Sequence, residues 1–378
     1  MLNGKPHLLK KVNSSIIEQL IFESGPLSKP DLAKHTGLSL PTINKLVDAL
    51  EKNYRLCPVG RTVNGVGRKA ILYETNRNSG CILACYYQHG SYLCRLTDML
   101  NNTIYEAVYH LDSGSLKQAL DSTVRTIDAL MEKAPTKVKV IGIGLPGVVQ
   151  PDGCIMGIPQ IPVWEGFNLK KELKARYKTE VIIENGVNLS AIGYYYANLQ
   201  EKQDNLVYIY VGNGFGSGII LNKQLYRGSG NFSGEIGLMT EPQGITKRNY
   251  TVDGGYMESL MGKLVDYSTG EFRDKNDISQ RKELIAILCT IAVNHVAILN
   301  PGAIVLSGKV FDEAMVKAMI QYMECYLPAE IMPLIIRDTN NTSGLEGLIL
   351  NCRGYITTGV YLVQSTGLPQ RAPARAAV

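Results

Sequence analysis

The apolar pattern of this chain breaks once, between residues 75 and 80, and that break divides the polypeptide before any other consideration. Upstream, apolar residues recur at helical spacing: Ile16, Ile17, Leu20 and Ile21 in one segment, Ile43, Leu46, Val47 and Leu50 in another. Downstream, short strand-like runs come first and then alternate with helical segments. A length of 378 residues already exceeds one ordinary domain. The expected division is 1–75 and 76–378. The second part should form two lobes, roughly 76–184 and 185–360, and the Ala-, Arg- and Pro-rich tail 368–378 should be disordered.

Charge follows the same break. The chain carries 39 Lys and Arg against 34 Asp and Glu, a formal net of +5. Residues 1–75 hold eleven of the bases and six of the acids, which leaves 28 of each sign for the rest. A basic leading module on a neutral body points to a polyanionic partner for the module. Its first helix, 12–24, ends at Gly25-Pro26. Ser28 can cap a second, Lys29 to His35, closed by Thr36-Gly37; Ser39 can cap a third, Leu40 to Lys52, with Pro41 tolerated in its first turn. Two short helices about a tight glycine turn, then a hairpin over 54–73 with a tip at Asn64, Gly65 and Gly67, resemble the winged helix-turn-helix of many bacterial regulators. That likeness implies a third helix in the major groove of double-stranded operator DNA. It would present Ser39, Pro41, Thr42, Asn44 and Lys45, while Arg61, Arg68 and Lys69 of the wing would meet phosphates or the minor groove. The competing reading is a solvated helix face that meets a protein.

Composition removes other classes. The most apolar stretch, Leu284 to Leu299, is interrupted by Thr290, Asn294 and His295, so a membrane-spanning helix is not expected. The first residues lack the apolar segment of a signal peptide, and a cytoplasmic location is the expectation. Eight scattered cysteines with no CxxC pair suit neither a disulfide framework nor a zinc site and are expected to be mostly buried apolar residues.

In the body, GIGLPGVVQPDG (142–153), IPQIPVWEGFNL (158–169), IENGVNLSAIG (183–193), LVYIYVGNGFGSGIILNKQLYRG (206–228), SGEIGLM (233–239) and IVLSG (304–308) occur in that order. This ordered set resembles the ROK family of repressors, open reading frames and kinases. The resemblance implies an α/β architecture: an N-terminal winged helix-turn-helix followed by an actin-like (ribonuclease H-like) two-lobed sugar-kinase fold. That is the layout of the family's transcriptional repressors.

The resemblance also says what a kinase of this kind would need. Its phosphate-binding hairpin would fall at 84–91, where no acid is present and Tyr86 and Tyr87 would crowd a phosphate. Its catalytic Asp would stand at Gly186, in Glu184-Asn185-Gly186, and glycine cannot take a proton. A zinc-binding His would stand at Leu238, and residues 240–258 contain no Cys or His. A sugar pocket persists in outline as Gln160, Asn185, Glu235 and Glu258, groups able to accept and donate hydrogen bonds to hydroxyls. The glycine run 212–218 is expected to be a tight turn needing positive φ. Ser307-Gly308-Lys309 departs from the family's glycine run near the adenosine. Trp164 is expected to anchor the two lobes to each other, and His295 and Tyr194-Tyr195-Tyr196 to lie in the core.

The expectation is therefore a regulator with no catalytic residue, no metal and no cofactor: a repressor of carbohydrate-utilisation genes that binds operator DNA, responds to a carbohydrate effector and acts as a homodimer or tetramer. The alternative is an active ATP-dependent sugar kinase carrying a DNA-binding domain, which Gly186 opposes.

Overall fold

The computed structural model describes residues 6–61, 70–241, 255–274 and 277–358. Helix α1 (Pro6–Ser24), strand β1 (Leu27–Ser28) and helices α2 (Lys29–Thr36) and α3 (Leu40–Lys52) lead into β2 (Leu56–Arg61) and β3 (Ile71–Thr75). The three strands form one antiparallel sheet in the order β1-β3-β2. Ser28 and Asp31 close a capping box at the start of α2, and Gly37, at φ 70°, ends it. Helix α3 starts after Ser39 as expected, but Ser39 does not cap the backbone; its hydroxyl meets Thr42 Oγ1 at 2.9 Å. Ile17, Ile21, Leu32, Ile43, Leu46, Val47, Leu50, Leu56 and Tyr73 enclose a separate apolar core for this head. The hairpin tip, with Arg68 and Lys69, and the tail 368–378 lie outside the described residues.

The body contains two five-stranded sheets of identical order. In the first, β4 (Cys81–Gln88), β5 (Ser91–Asp98) and β6 (Thr103–His110) form an antiparallel meander. Strands β7 (Val138–Leu145) and β10 (Glu180–Asn185) run parallel on the other side of β4. Two-residue strands β8 (Val148–Val149) and β9 (Ile155–Met156) form a small ribbon after β7. In the second sheet, β11 (Leu206–Val211), β12 (Phe215–Leu221) and β13 (Gln224–Leu225) are antiparallel. A second ribbon joins β14 (Val265–Asp266) to β15 (Glu271–Phe272), and β16 (Ala303–Ser307) and β17 (Leu334–Asp338) run parallel beside β11. Among the described residues, seven helices accompany the sheets: α4 (Leu116–Met131), α5 (Leu169–Tyr177), α6 (Gly186–Asn198), α7 (Tyr256–Leu264), α8 (Ile278–Leu299), α9 (Glu313–Glu324) and α10 (Ser343–Thr358).

Burial bears on three expectations. Trp164 does not join the lobes; it is fully buried in the core of the first sheet, stacked on Phe167 with ring centroids 5.5 Å apart. Helix α8 has an 18-residue window of mean hydropathy 1.7, long and apolar enough to cross a bilayer by composition, so the interruptions at Thr290, Asn294 and His295 do not remove that signal. Its Leu284, Leu288, Ile291 and Ala292 are buried in the second core, which accounts for its apolarity. Third, the expected lobe 185–360 does not hold together. Helix α10 crosses back, and its Leu345, Leu348, Ile349 and Cys352 pack with Ile82, Ala84, Val140 and Ile182 of the first sheet.

Helices α6 and α10 meet backbone to backbone. A Cβ on Gly193 would sit 2.0 Å from Ser343 O, and one on Gly347 would sit 1.8 Å from Leu189 O. Only glycine permits that approach. The far end of α10 reaches the head. Ser15 Oγ donates to Thr357 O (2.8 Å) and Arg55 Nη2 to Ile356 O (3.1 Å). Arg353, almost fully buried, lies 3.3 Å from the centroid of Phe22 in α1 and donates to Met99 O and Thr75 Oγ1. Beside it, Glu18 pairs with Arg55 at 2.6 Å.

Candidate functional site

The exposed side of the head carries the first group of candidate residues. Helix α3 turns Ile43, Leu46, Val47 and Leu50 into the head core, so helical geometry sends Pro41, Asn44 and Lys45 outward. Ser39, Pro41, Asn44 and Lys45 are exposed, Thr42 is partly so, and Arg61 is exposed at the end of β2. These six therefore share the solvent side of α3 and the adjoining strand.

The second group lies where the two sheets approach, at the N-terminus of α6. Asn185 caps this helix: its Oδ1 accepts from Val187 N (2.8 Å) and Asn188 N (3.1 Å), and its Nδ2 donates to Gly147 O (3.0 Å). Sequence reasoning missed the pair beneath it. Glu184 is buried and accepts from Arg227 Nε at 2.9 Å and from Asn188 Nδ2 at 3.1 Å. Arg227 Nη1 is buried with no hydrogen-bond partner. The only signal was the charged pair itself, separated by 43 positions and joined by the fold.

Glu235 and Glu258 come together. Burial pushes the carboxyl of each up to about 7, and the Glu235 charge raises Glu258 further, against a bond from the Tyr267 side chain that lowers it. Gly237 lies against Glu258, where a Cβ would fall 2.7 Å from Oε2. Gly255, at φ 121°, lets α7 start directly beneath that turn. A carboxyl near 7 offers both donor and acceptor at neutral pH, which suits hydroxyl recognition. Gln160 is tied to the glycine loop instead: its Nε2 donates to Asn213 O at 2.6 Å, while its Oε1 is buried and unpartnered. That bond, with Asn231 Nδ2 to Val149 O (2.7 Å), links the two sheet units.

The glycine loop also corrects an expectation. None of Gly212, Gly214, Gly216 and Gly218 has positive φ. Close approach accounts for two of them: a Cβ on Gly218 would meet Ala191 Cβ at 2.5 Å and Val187 O at 2.9 Å, and one on Gly212 would meet the Tyr210 hydroxyl at 2.2 Å. The tight turn with positive φ is instead at His89 (48°) and Gly90 (77°), between β4 and β5.

Of the two expected crowding tyrosines, only Tyr86 faces the site, because neighbours on a strand point to opposite faces. Tyr87 packs on the other face, edge-on to Tyr92. Tyr86 fills a cradle of glycines, since Cβ atoms on Gly144 and Gly344 would fall 2.6 and 2.3 Å from its ring atoms. Its hydroxyl donates to Gly186 O at 3.3 Å and lies 3.1 Å from where a Cβ on Gly186 would stand. Burial pushes the phenol up to about 12, so it is protonated and no base at neutral pH.

Residues 93–247 match the profile of the ROK family. That stretch of the chain resembles the ROK family. Among curated proteins, the xylose repressor of Bacillus subtilis (strain 168) is 29% identical over 235 residues, 61% of each chain. The DNA-binding transcriptional dual regulator NagC of Escherichia coli (strain K12) is 26% identical over 263 residues, 68% of this chain and 64% of that one. These matches span less than two thirds of the relatives' own length. In fold, a ROK family transcriptional regulator described as a homologue of the E. coli MLC protein superposes with a TM-score of 0.74 at 18% identity, over 93% of this chain and 98% of that one. A ROK hexokinase from Thermus thermophilus reaches 0.58, also at 18% identity, over 74% of this chain and 99% of that one. The mixed α/β architecture with paired sheets is thus that of ROK regulators and kinases alike.

Proposed function

We propose that this chain is a sugar-responsive, DNA-binding transcriptional repressor whose ROK body senses a carbohydrate and does not phosphorylate it. The observation that carries the reading is the pairing of Gly186 with Tyr86. Where the family resemblance puts the catalytic Asp there is no side chain, and the space it would use is taken by a protonated phenol. The names of the xylose repressor and NagC support the same direction, as does a regulator fold that overlays 93% of the chain where the hexokinase overlays 74%.

In this reading the head is a winged helix-turn-helix. Helix α3 enters the major groove, Asn44 and Lys45 reach base edges, and Ser39, Thr42 and Arg61 meet phosphates, joined by Arg68 and Lys69 of the wing. The effector sits against Glu235 and Glu258, with Asn185 and Gln160 at its margins. Closure on the sugar shifts a homodimer between two spacings of its heads, and the ligand need only favour one of them.

Fluorescence anisotropy on duplex DNA from upstream of the genes that adjoin its own tests the first half. Lys45→Ala and Arg61→Ala should weaken binding, the latter with a salt slope reduced by about one. No loss at either position refutes the docking. A coupled assay with ATP and a panel of hexoses and pentoses tests the second half, and turnover would establish the kinase instead.

A further inference from the structure

Between head and body lies a cleft of about 490 Å³ with an unusual lining: Lys10, Lys11 and Arg55 face it from the head, Lys139 from β7 of the body, and no Asp or Glu lines it. Arg55 is engaged by Glu18, which sits in an adjoining cavity of about 280 Å³ together with Arg353. Lys10, Lys11 and Lys139 are exposed and have no ion-pair partner among the described residues. Three unpaired lysines around one cavity repel one another, and the body, which is neutral beyond residue 75, provides no general excess to explain Lys139 there.

This cleft is not the DNA-facing side of the head. Asn53, just past the C-terminal end of α3, lines it. Pro41 and Thr42 stand at the opposite end of the same helix, about 17 Å away at 1.5 Å rise per residue. The three lysines are thus a second basic feature, distinct in place from the first.

We propose that the junction cleft binds a small phosphate-bearing anion, with Lys10, Lys11 and Lys139 as its ligands and Arg55, fixed by Glu18, as one wall. Ammonium groups suit a compact phosphate dianion, and Ser14 and Ser15 line the same space. Because the ligands come from both units, a bound anion ties the head to the body. This proposal goes beyond the sugar-sensing reading and does not depend on it, since phosphate binding is read without an inducing sugar.

The test is calorimetric titration of the full chain, at about 50 mM salt to limit screening, with inorganic phosphate and with glucose 6-phosphate, using glucose as the phosphate-free control. Both phosphates should bind saturably. Lys139→Gln and Lys11→Gln should each weaken them roughly tenfold, the worth of one charged hydrogen bond, and leave any glucose binding unchanged. Circular dichroism should find these exposed-site variants folded. Absence of saturable phosphate binding by the unaltered chain overturns the proposal, as does binding that both variants leave intact. If the variants lower affinity for duplex DNA while the unaltered chain takes no phosphate, the lysines serve the nucleic-acid backbone and the proposal is equally overturned.

Discussion

Arg353 joins the last helix to the head, and its replacement gives the most quantitative test of that junction. Arg353→Met keeps an unbranched apolar stem and removes the charged guanidinium. Three things are lost. The guanidinium 3.3 Å from the Phe22 centroid contributes about 2 kcal/mol when desolvated. The hydrogen bond to Met99 O, whose carbonyl is left bare, contributes about 1.5 kcal/mol. Glu18, whose carboxyl burial raises to about 7 against the pull of Arg55 and Arg353, loses one of its two cations. Together the first two give about 3.5 kcal/mol, within the ~3–5 kcal/mol expected when one partner of a buried charge cluster is removed. An unfolding entropy of about 2.1 cal/mol/K per residue, scaled to the 378 residues, turns this into a fall in Tm of about 4–5 °C by calorimetry. Amide exchange in α1 and α10 should accelerate before that of the second sheet. Adding Glu18→Gln should recover about 1 kcal/mol, because a buried carboxylate left with Arg55 as its one cation is gone. A loss under 1 kcal/mol, or a double variant no better than the single one, would sink the account of this junction.

Three further outcomes are expected. Gly218→Ala should cost about 1–3 kcal/mol in urea unfolding, because its Cβ would fall 2.5 Å from Ala191 Cβ in α6. Glu18, Glu235 and Glu258 have folded pKa values raised from 4.5 to about 7, so the folded chain holds their protons more tightly than the unfolded one. The stability this gives is present in full below pH 4.5 and is lost as pH rises through 7. Tm followed from pH 5 to 8 should fall, and Glu235→Gln should flatten the slope and abolish the sugar response while basal DNA binding stays. Gly186→Asp alone should leave phosphoryl transfer at background in the coupled ATP assay, since the Tyr86 hydroxyl stands 3.1 Å from its Cβ; measurable turnover would contradict the reading of that pair.

How much of this was legible in the letters depends on the range of the forces involved. Helices α2 and α3 and strands β7 and β11 appear where periodicity, caps and apolar runs place them, because those signals are local. Gly186 and the glycine loop were visible as residues, yet the reason for the loop was misread. The φ values are ordinary, and Gly218 serves a contact with α6 and Gly212 one with Tyr210, which a sequence does not display. Helix α10 was missed for the same reason. Gly344, Gly347 and Gly354 weaken its helical signal, while the structure uses the first two to admit Tyr86 and the crossing with α6. The Glu184–Arg227 pair and the cations at the junction are brought together only by the fold, so no spacing rule could have found them.

The return of α10 to the first sheet also fixes an order of events. A ribosome delivers the head early, and its apolar core is complete without any residue of α10. The first sheet does not. Its strands between 81 and 185 leave Ile82, Ala84, Val140 and Ile182 uncovered until residues 343–358 have been made. For more than 150 residues of synthesis the nascent chain therefore carries a head with a closed core beside a first sheet with an open apolar face. Chaperone dependence, and the sensitivity of this protein to truncation at its C-terminus, should be set by that interval.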